Sequence, residues 1–93
     1  MLNSYHEIAQ IQPILASVFR ALRPGGSLVL VDNNPFDEWR SETRGFQASH
    51  HALDPAIVER EVRAAGFEIV RRDNNFITTP ISQWLVVARR PPP

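Results

Sequence analysis

With 93 residues the chain holds one domain at most, and a domain of that size buries only about 60–65% of its unfolded surface, so its core is thin. Lys+Arg and Asp+Glu balance at ten each, which leaves no basic excess for a phosphate backbone and makes nucleic acid a poor partner. The absence of cysteine excludes a disulfide framework and a thiolate zinc site.

The polar first residues are unlike a secretory leader. The longest apolar run, Trp84 to Ala88, is far below the ~20 residues that span a bilayer. A cytoplasmic chain with no membrane partner is therefore expected. In chain order, Ile8, Ile11, Leu15, Val18, Phe19 and Leu22 fall in steps of three and four, one stripe of a helix. Pro13 fits a first turn and not an interior, so the helix is predicted to start near Ile11 or Gln12. Pro24 stops it, and Gly25 or Gly26 supplies the positive φ of the turn. Ser27 to Asp32 is continuously apolar up to its closing aspartate, the pattern of a strand covered on both faces.

Residues 33 to 53 read as a long polar loop, with a helical turn around Asp37 to Arg44. Asp54-Pro55 is an N-cap followed by a first-turn proline. Ile57, Val58, Val62 and Ala65 form the stripe of this second helix, and Gly66 is its expected C-cap. Phe67 to Arg72 roughly alternates, as in a half-buried strand. A polar link from Asp73 to Thr79 with Pro80 separates it from the more apolar strand Trp84 to Ala88, which suggests an antiparallel pair. Arg71, Arg72, Arg89 and Arg90 read as solvated charges. Pro91 to Pro93 read as a disordered tail after a domain of residues 1–90.

This order, with these residues, resembles the C-terminal half of a class I S-adenosylmethionine-dependent methyltransferase. The resemblance rests on Asn3-Ser4-Tyr5-His6-Glu7, on Val18 to Asp32 with its Leu-Arg-Pro-Gly-Gly joint, on His51 to Pro55 running into Ala64-Ala65-Gly66-Phe67, and on Trp84 to Arg89. It implies a partial Rossmann-like α/β fold. About three strands are expected, one buried and of parallel type, the other two a C-terminal antiparallel pair, together with two main helices. The family's last strand lies antiparallel between its two predecessors. Its cofactor is held mainly by a glycine-rich turn between an earlier strand and helix. This sequence has no such turn, so a truncated remnant is expected, completed by self-association or by a separate N-terminal half.

The resemblance also implies site residues. His6, Tyr5 and Glu7 are the catalytic candidates, with the imidazole as proton acceptor, the ring as a stacking surface and the carboxylate as an orienting group. Asn3 and Tyr5 would contact S-adenosylmethionine. Asn33, Asn34, Trp39 and His51 would line the pocket of a small-molecule acceptor. Asx side chains are also natural turn formers, so Asn33 and Asn34 have a structural alternative. His50 and His51 read as opposed neighbours on an extended segment, so no metal site is expected. The rival to a methyltransferase is a non-catalytic fragment that acts as a homo-oligomeric or partner-binding module, because an open strand edge is a template for pairing.

Overall fold

The computed structural model describes residues 4–93. Its elements are α1 (Ile11–Ala21), β1 (Ser27–Asn33), α2 (Arg44–Ser49), α3 (Pro55–Ala64), β2 (Glu68–Ile77) and β3 (Gln83–Arg89). Short 3-10 turns occupy Tyr5–Glu7 and Asp37–Trp39. α1 starts at Ile11 with Pro13 in its first turn, where a missing N–H costs nothing. Asp54 caps α3 by accepting from the Ala56 N–H at 3.0 Å, with Pro55 as the first helical residue.

The sheet order is β1-β3-β2, and β3 is antiparallel to both neighbours. β1 and β2 therefore run parallel, with the last strand between them, as the family resemblance implies. Leu30 faces Val86 and Leu28 faces Ala88 across the β1–β3 ladder. These residues share a core with Trp84, with Ile11 and Leu15 of α1 and with Val58 and Val62 of α3. Burying a side chain of that size contributes about 1.5–3 kcal/mol, so this one cluster carries most of the hydrophobic stabilisation.

The structure corrects four readings. β1 is not covered by helices on both faces, because α1 and α3 feed the same core. The alternate residues of the ladder, Val29 opposite Val87 and Val31 opposite Leu85, form a second apolar face. On that face Val29 and Val87 are only half-buried. β2 continues to Ile77 through residues read as a link, with register irregularities after Ile69 and Asp73. An edge strand hydrogen-bonded on one side tolerates polar side chains in water, so polarity there does not mean loop.

The third correction is α2, which falls within the stretch read as loop and begins where the expected helical turn ends. Thr43 caps it by accepting from the Phe46 N–H at 3.2 Å. The fourth is Arg90, which is half-buried. Its Nη1 donates to the Phe19 carbonyl at 3.0 Å and to the Leu22 carbonyl at 2.6 Å, closing the end of α1. Its guanidinium lies 4.8 Å from the Phe19 ring centroid.

Both helix-to-strand joints meet at this end of the sheet, since Arg89 pairs with Ser27 on one side and Glu68 on the other. Gly25, at φ +82°, makes the first turn, and its N–H donates to the Arg90 carbonyl at 2.8 Å. The Arg90 N–H donates in return to Gly26 at 2.8 Å. Gly66, at φ +103°, makes the second turn one residue beyond the C-cap Ala65. A Cβ there would lie 3.2 Å from Phe19 Cε2. Phe67 meets Phe19 edge to face, with centroids 5.1 Å apart.

Candidate functional site

The opposite end of β1 carries the chemistry. Asp32 is 1% exposed, a position where a carboxylate is tolerated only if donors satisfy it. Three do. Asp32 Oδ2 accepts from the His6 backbone N–H at 2.8 Å, and Oδ1 accepts from the Asn33 N–H at 2.7 Å. His6 Nδ1 lies 2.9 Å from both carboxylate oxygens. A carboxylate accepts, so Nδ1 carries a proton, and in the neutral ring Nε2 keeps a lone pair. His6 is 8% exposed, and its Nε2 has no hydrogen-bond partner. The side chain lines a cavity of ≈ 450 Å³ together with Glu7, Arg44, Ala48 and His51.

The 3-10 turn Tyr5–Glu7 sets this geometry. Its backbone is tied to Asp32, and Tyr5 plugs it into the core. Tyr5 is wholly buried, and its hydroxyl donates to Glu61 Oε1 at 2.9 Å. No face of the ring is open for stacking on a ligand, which corrects the expectation for Tyr5 as a cofactor or catalytic contact. Burial first, then the Glu61 carboxylate, pushes the phenol well above its ordinary range. Glu61 also accepts from Arg44 Nε at 2.6 Å, so one residue of α3 fixes both the turn and the first residue of α2. Glu7 is exposed at the cavity rim, with Oε1 3.9 Å from His6 Nε2. Asn3, the other expected cofactor contact, lies outside the described residues.

The four expected acceptor contacts, Asn33, Asn34, Trp39 and His51, line one cavity of ≈ 220 Å³, and of them His51 alone also lines the cavity of His6. His51 joins the site: its ring meets that of His6 edge to face at 5.9 Å. It sits at φ +59°, so it leaves α2 by a left-handed turn and not on an extended segment. His50 turns the other way, stacked on Phe46 at 4.4 Å and against Trp39 at 4.5 Å. Trp39 is part of that aromatic cluster and does not line the cavity beside His6. Asn33 is occupied structurally. Its Nδ2 donates to the His51 carbonyl at 2.8 Å, and its Oδ1 accepts from Gln83 at 2.9 Å. Asn34 donates to the Asn74 carbonyl and the Ser82 hydroxyl, and it lines a further cavity as well as the one it shares with Asn33, Trp39 and His51. Among the described residues no three His, Asp or Glu side chains converge as a metal ligand set.

Sequence reasoning missed Arg44, Glu61 and Gln47. Gln47 is wholly buried and pins the loop by donating to the Arg40 and Glu42 carbonyls and accepting from the Asp54 N–H. Thr43 three residues before Phe46 was the available signal for α2. Nothing local marks Arg44 or Glu61, whose pairing spans 17 residues.

The residues present do not form a nucleoside cradle. Gly25 and Gly66 both precede strands, at the end of the sheet away from His6. Among the described residues no glycine-rich turn leads from a strand into a helix.

No family model and no curated protein match the sequence. Solved structures do. The S-adenosylmethionine-dependent methyltransferase of Mesorhizobium loti superimposes with a TM-score of 0.71 at 17% identity, over 96% of this chain and 59% of that one. A methyltransferase of Methanosarcina mazei gives 0.65 at 16% identity, over 100% and 58%. The cyclase SpnF gives 0.67 at 14% identity, over 99% and 49%. The chain thus spans about half to three-fifths of each of these relatives, and a cyclase among them shows that the fold alone does not fix the reaction. By strand order, helix placement and superposition, the chain has the α/β fold of the S-adenosylmethionine-dependent methyltransferases in partial form.

Proposed function

We propose that the chain is the acceptor-side part of a methyltransferase, with His6 as the base that takes a proton from an O–H or N–H group of a small molecule as it is methylated. One observation carries this reading: the imidazole is clamped through Nδ1 by a buried carboxylate while Nε2, beside a cavity, has no partner. A positioned base of this kind typically contributes 10²–10⁴-fold. Asp32 acts through His6, fixing its tautomer and orientation and stabilising the imidazolium that forms. Glu7 at the rim stabilises the same charge. S-adenosylmethionine is the methyl donor that the fold suggests, and its cradle would come from outside these residues.

Incubating the chain with methyl-labelled S-adenosylmethionine and a panel of small alcohols, phenols and amines tests this. Transfer that disappears in His6→Gln is the expected result. Transfer that survives in His6→Gln overturns the base assignment. If there is neither transfer nor heat on titration with the donor, the chain by itself is not the enzyme.

That outcome would leave a second reading, which the sheet favours. β1 is an edge strand among the described residues, and its Val29, with Val87 beside it, is only half-buried on the second apolar face. Pairing along this edge, with another copy or with residues that carry the rest of the fold, would extend the sheet. A stable monomer in sedimentation at tens of micromolar, with no copurifying partner, would sink it.

A further inference from the structure

Three buried side-chain polar atoms among the described residues lack hydrogen-bond partners, and two of them, His6 Nε2 and Arg44 Nη2, belong to residues that line one cavity. A buried polar atom left unmet costs about 1–3 kcal/mol, so two around one space call for an explanation. Their requirements are opposite. A guanidinium nitrogen can only donate. In the neutral ring, whose one proton Asp32 engages on the other side, His6 Nε2 accepts.

Arg44 is also held in place. Its Nε is committed to Glu61, which is itself fixed by Tyr5. The guanidinium is therefore preorganised, and little rotamer freedom remains to be lost on binding. The rest of the lining is small or apolar at Ala9, Gly45 and Ala48 and polar at Ser49 and His51. Glu61 balances the charge of Arg44, so what the guanidinium still offers is a directed N–H donor at Nη2, while Glu7 lies 68% exposed at the rim.

We infer that the cavity receives a small hydroxy-carboxylate, its carboxylate on Arg44 and its hydroxyl donating to His6 Nε2. This names the acceptor class for the site and rests on the reading of His6 as the acceptor's base. A neutral acceptor would satisfy His6 and strand Arg44. An ammonium would face the guanidinium with like charge.

The test is an NMR titration of the whole chain, following the His6 ring resonances, with salicylate and its meta and para isomers and with the matching hydroxybenzamides. At least one acid should move the His6 resonances and bind about tenfold more tightly than its amide, as a charge-assisted hydrogen bond implies. Arg44→Gln should bring acid and amide to within about twofold, and Arg44→Lys should keep part of the preference. Equal binding of acid and amide overturns the inference, as does binding by none of them up to about 10 mM or a preference that survives Arg44→Gln. Should Arg44→Gln fail to fold, the wild-type comparison and Arg44→Lys decide the matter. Binding needs no methyl donor, so the two readings can fail separately. Acids bound without methyl transfer would count against the enzyme alone, and methyl transfer without acid preference against the receptor alone.

Discussion

The two ends of β1 are built on opposite principles. At its start, every polar group of the Pro-Gly-Gly joint that the Arg90 segment meets is answered: Gly25 and Gly26 by backbone, Phe19 and Leu22 by one guanidinium. Phe19 packs against Phe67, Arg90 and the open side of Gly66. At its finish, Asp32 is fully answered, but the site beside it is not: His6, held by Asp32, and Arg44, held by Glu61, each keep a buried nitrogen without a partner. The first end spends its interactions on closing the fold. The second holds groups ready for something else, as functional sites commonly do at some cost in stability.

Substitutions can break or sharpen that contrast. The largest stability effect is expected at the joint. Arg90→Ala removes two hydrogen bonds from a charged donor and a cation–π contact, a loss of roughly 3 kcal/mol from a total of about 5–14 kcal/mol for a chain of this size. Urea unfolding would measure it, and the acid preference of the cavity should not change. If Arg90→Ala weakened ligand binding while leaving the unfolding midpoint in place, the division between the ends would be wrong.

Gly66→Ala should follow at about 2 kcal/mol, because the left-handed turn and the 3.2 Å approach to Phe19 act together. Gly25→Asn should cost less, since nothing lies near its Cβ position and asparagine tolerates positive φ. Equal losses at the two glycines would mean that Phe19 yields freely.

Tyr5→Phe probes the connection between core and site. At neutral pH it should cost about 1 kcal/mol, one hydrogen bond. Its signature lies at alkaline pH. The folded phenol has a raised pKa, so its stabilisation is complete below the unfolded value near 10 and falls above it, by up to about 1.4 kcal/mol per pH unit. The sequence has one tyrosine and neither lysine nor cysteine, so tyrosinate absorbance reports this group alone. The absorbance should rise only as the chain unfolds, and Tyr5→Phe should flatten the alkaline decline. A normal titration near pH 10 in the folded chain would contradict the Glu61 contact.

His6→Gln should have the smallest effect on folding, within about 1 kcal/mol, because its backbone bond to Asp32 remains. It should nonetheless abolish methyl transfer.

Much of the fold could be read along the chain because its signals are local. Pro13, Asp54-Pro55, Gly25 and Gly66 each act on their own backbone, and each marks a boundary to within a residue or so. The strand of steady apolar character was found for the same reason. Its surroundings were not, since alternation along β1 cannot tell whether a helix covers its second face. The site was half legible. His6 was singled out, and Asp32 was noted as a strand-end residue. Their pairing, 26 residues apart, exists only after β1 and the first turn come together. Arg44 and Glu61 escaped because a charged residue in a loop and one on a helix look like any solvated pair until packing places them around Tyr5. Tyr5 misled for the converse reason: an aromatic next to a candidate base suggests stacking, and the core claimed it.

The position of β3 has a consequence for how the molecule is made. It is the last of the three strands to leave the ribosome and the middle one in space. A nascent chain that has emerged only as far as Ser82 has both outer strands and no ladder between them, because among the described residues all sheet pairing runs through Gln83 to Arg89. Sheet formation must therefore wait until translation of this region is nearly finished, and until then Leu28 to Val31 are free to meet other chains. Silent codon changes that slow elongation before Gln83 should lengthen that interval and raise the demand for chaperones, with the finished protein unaltered.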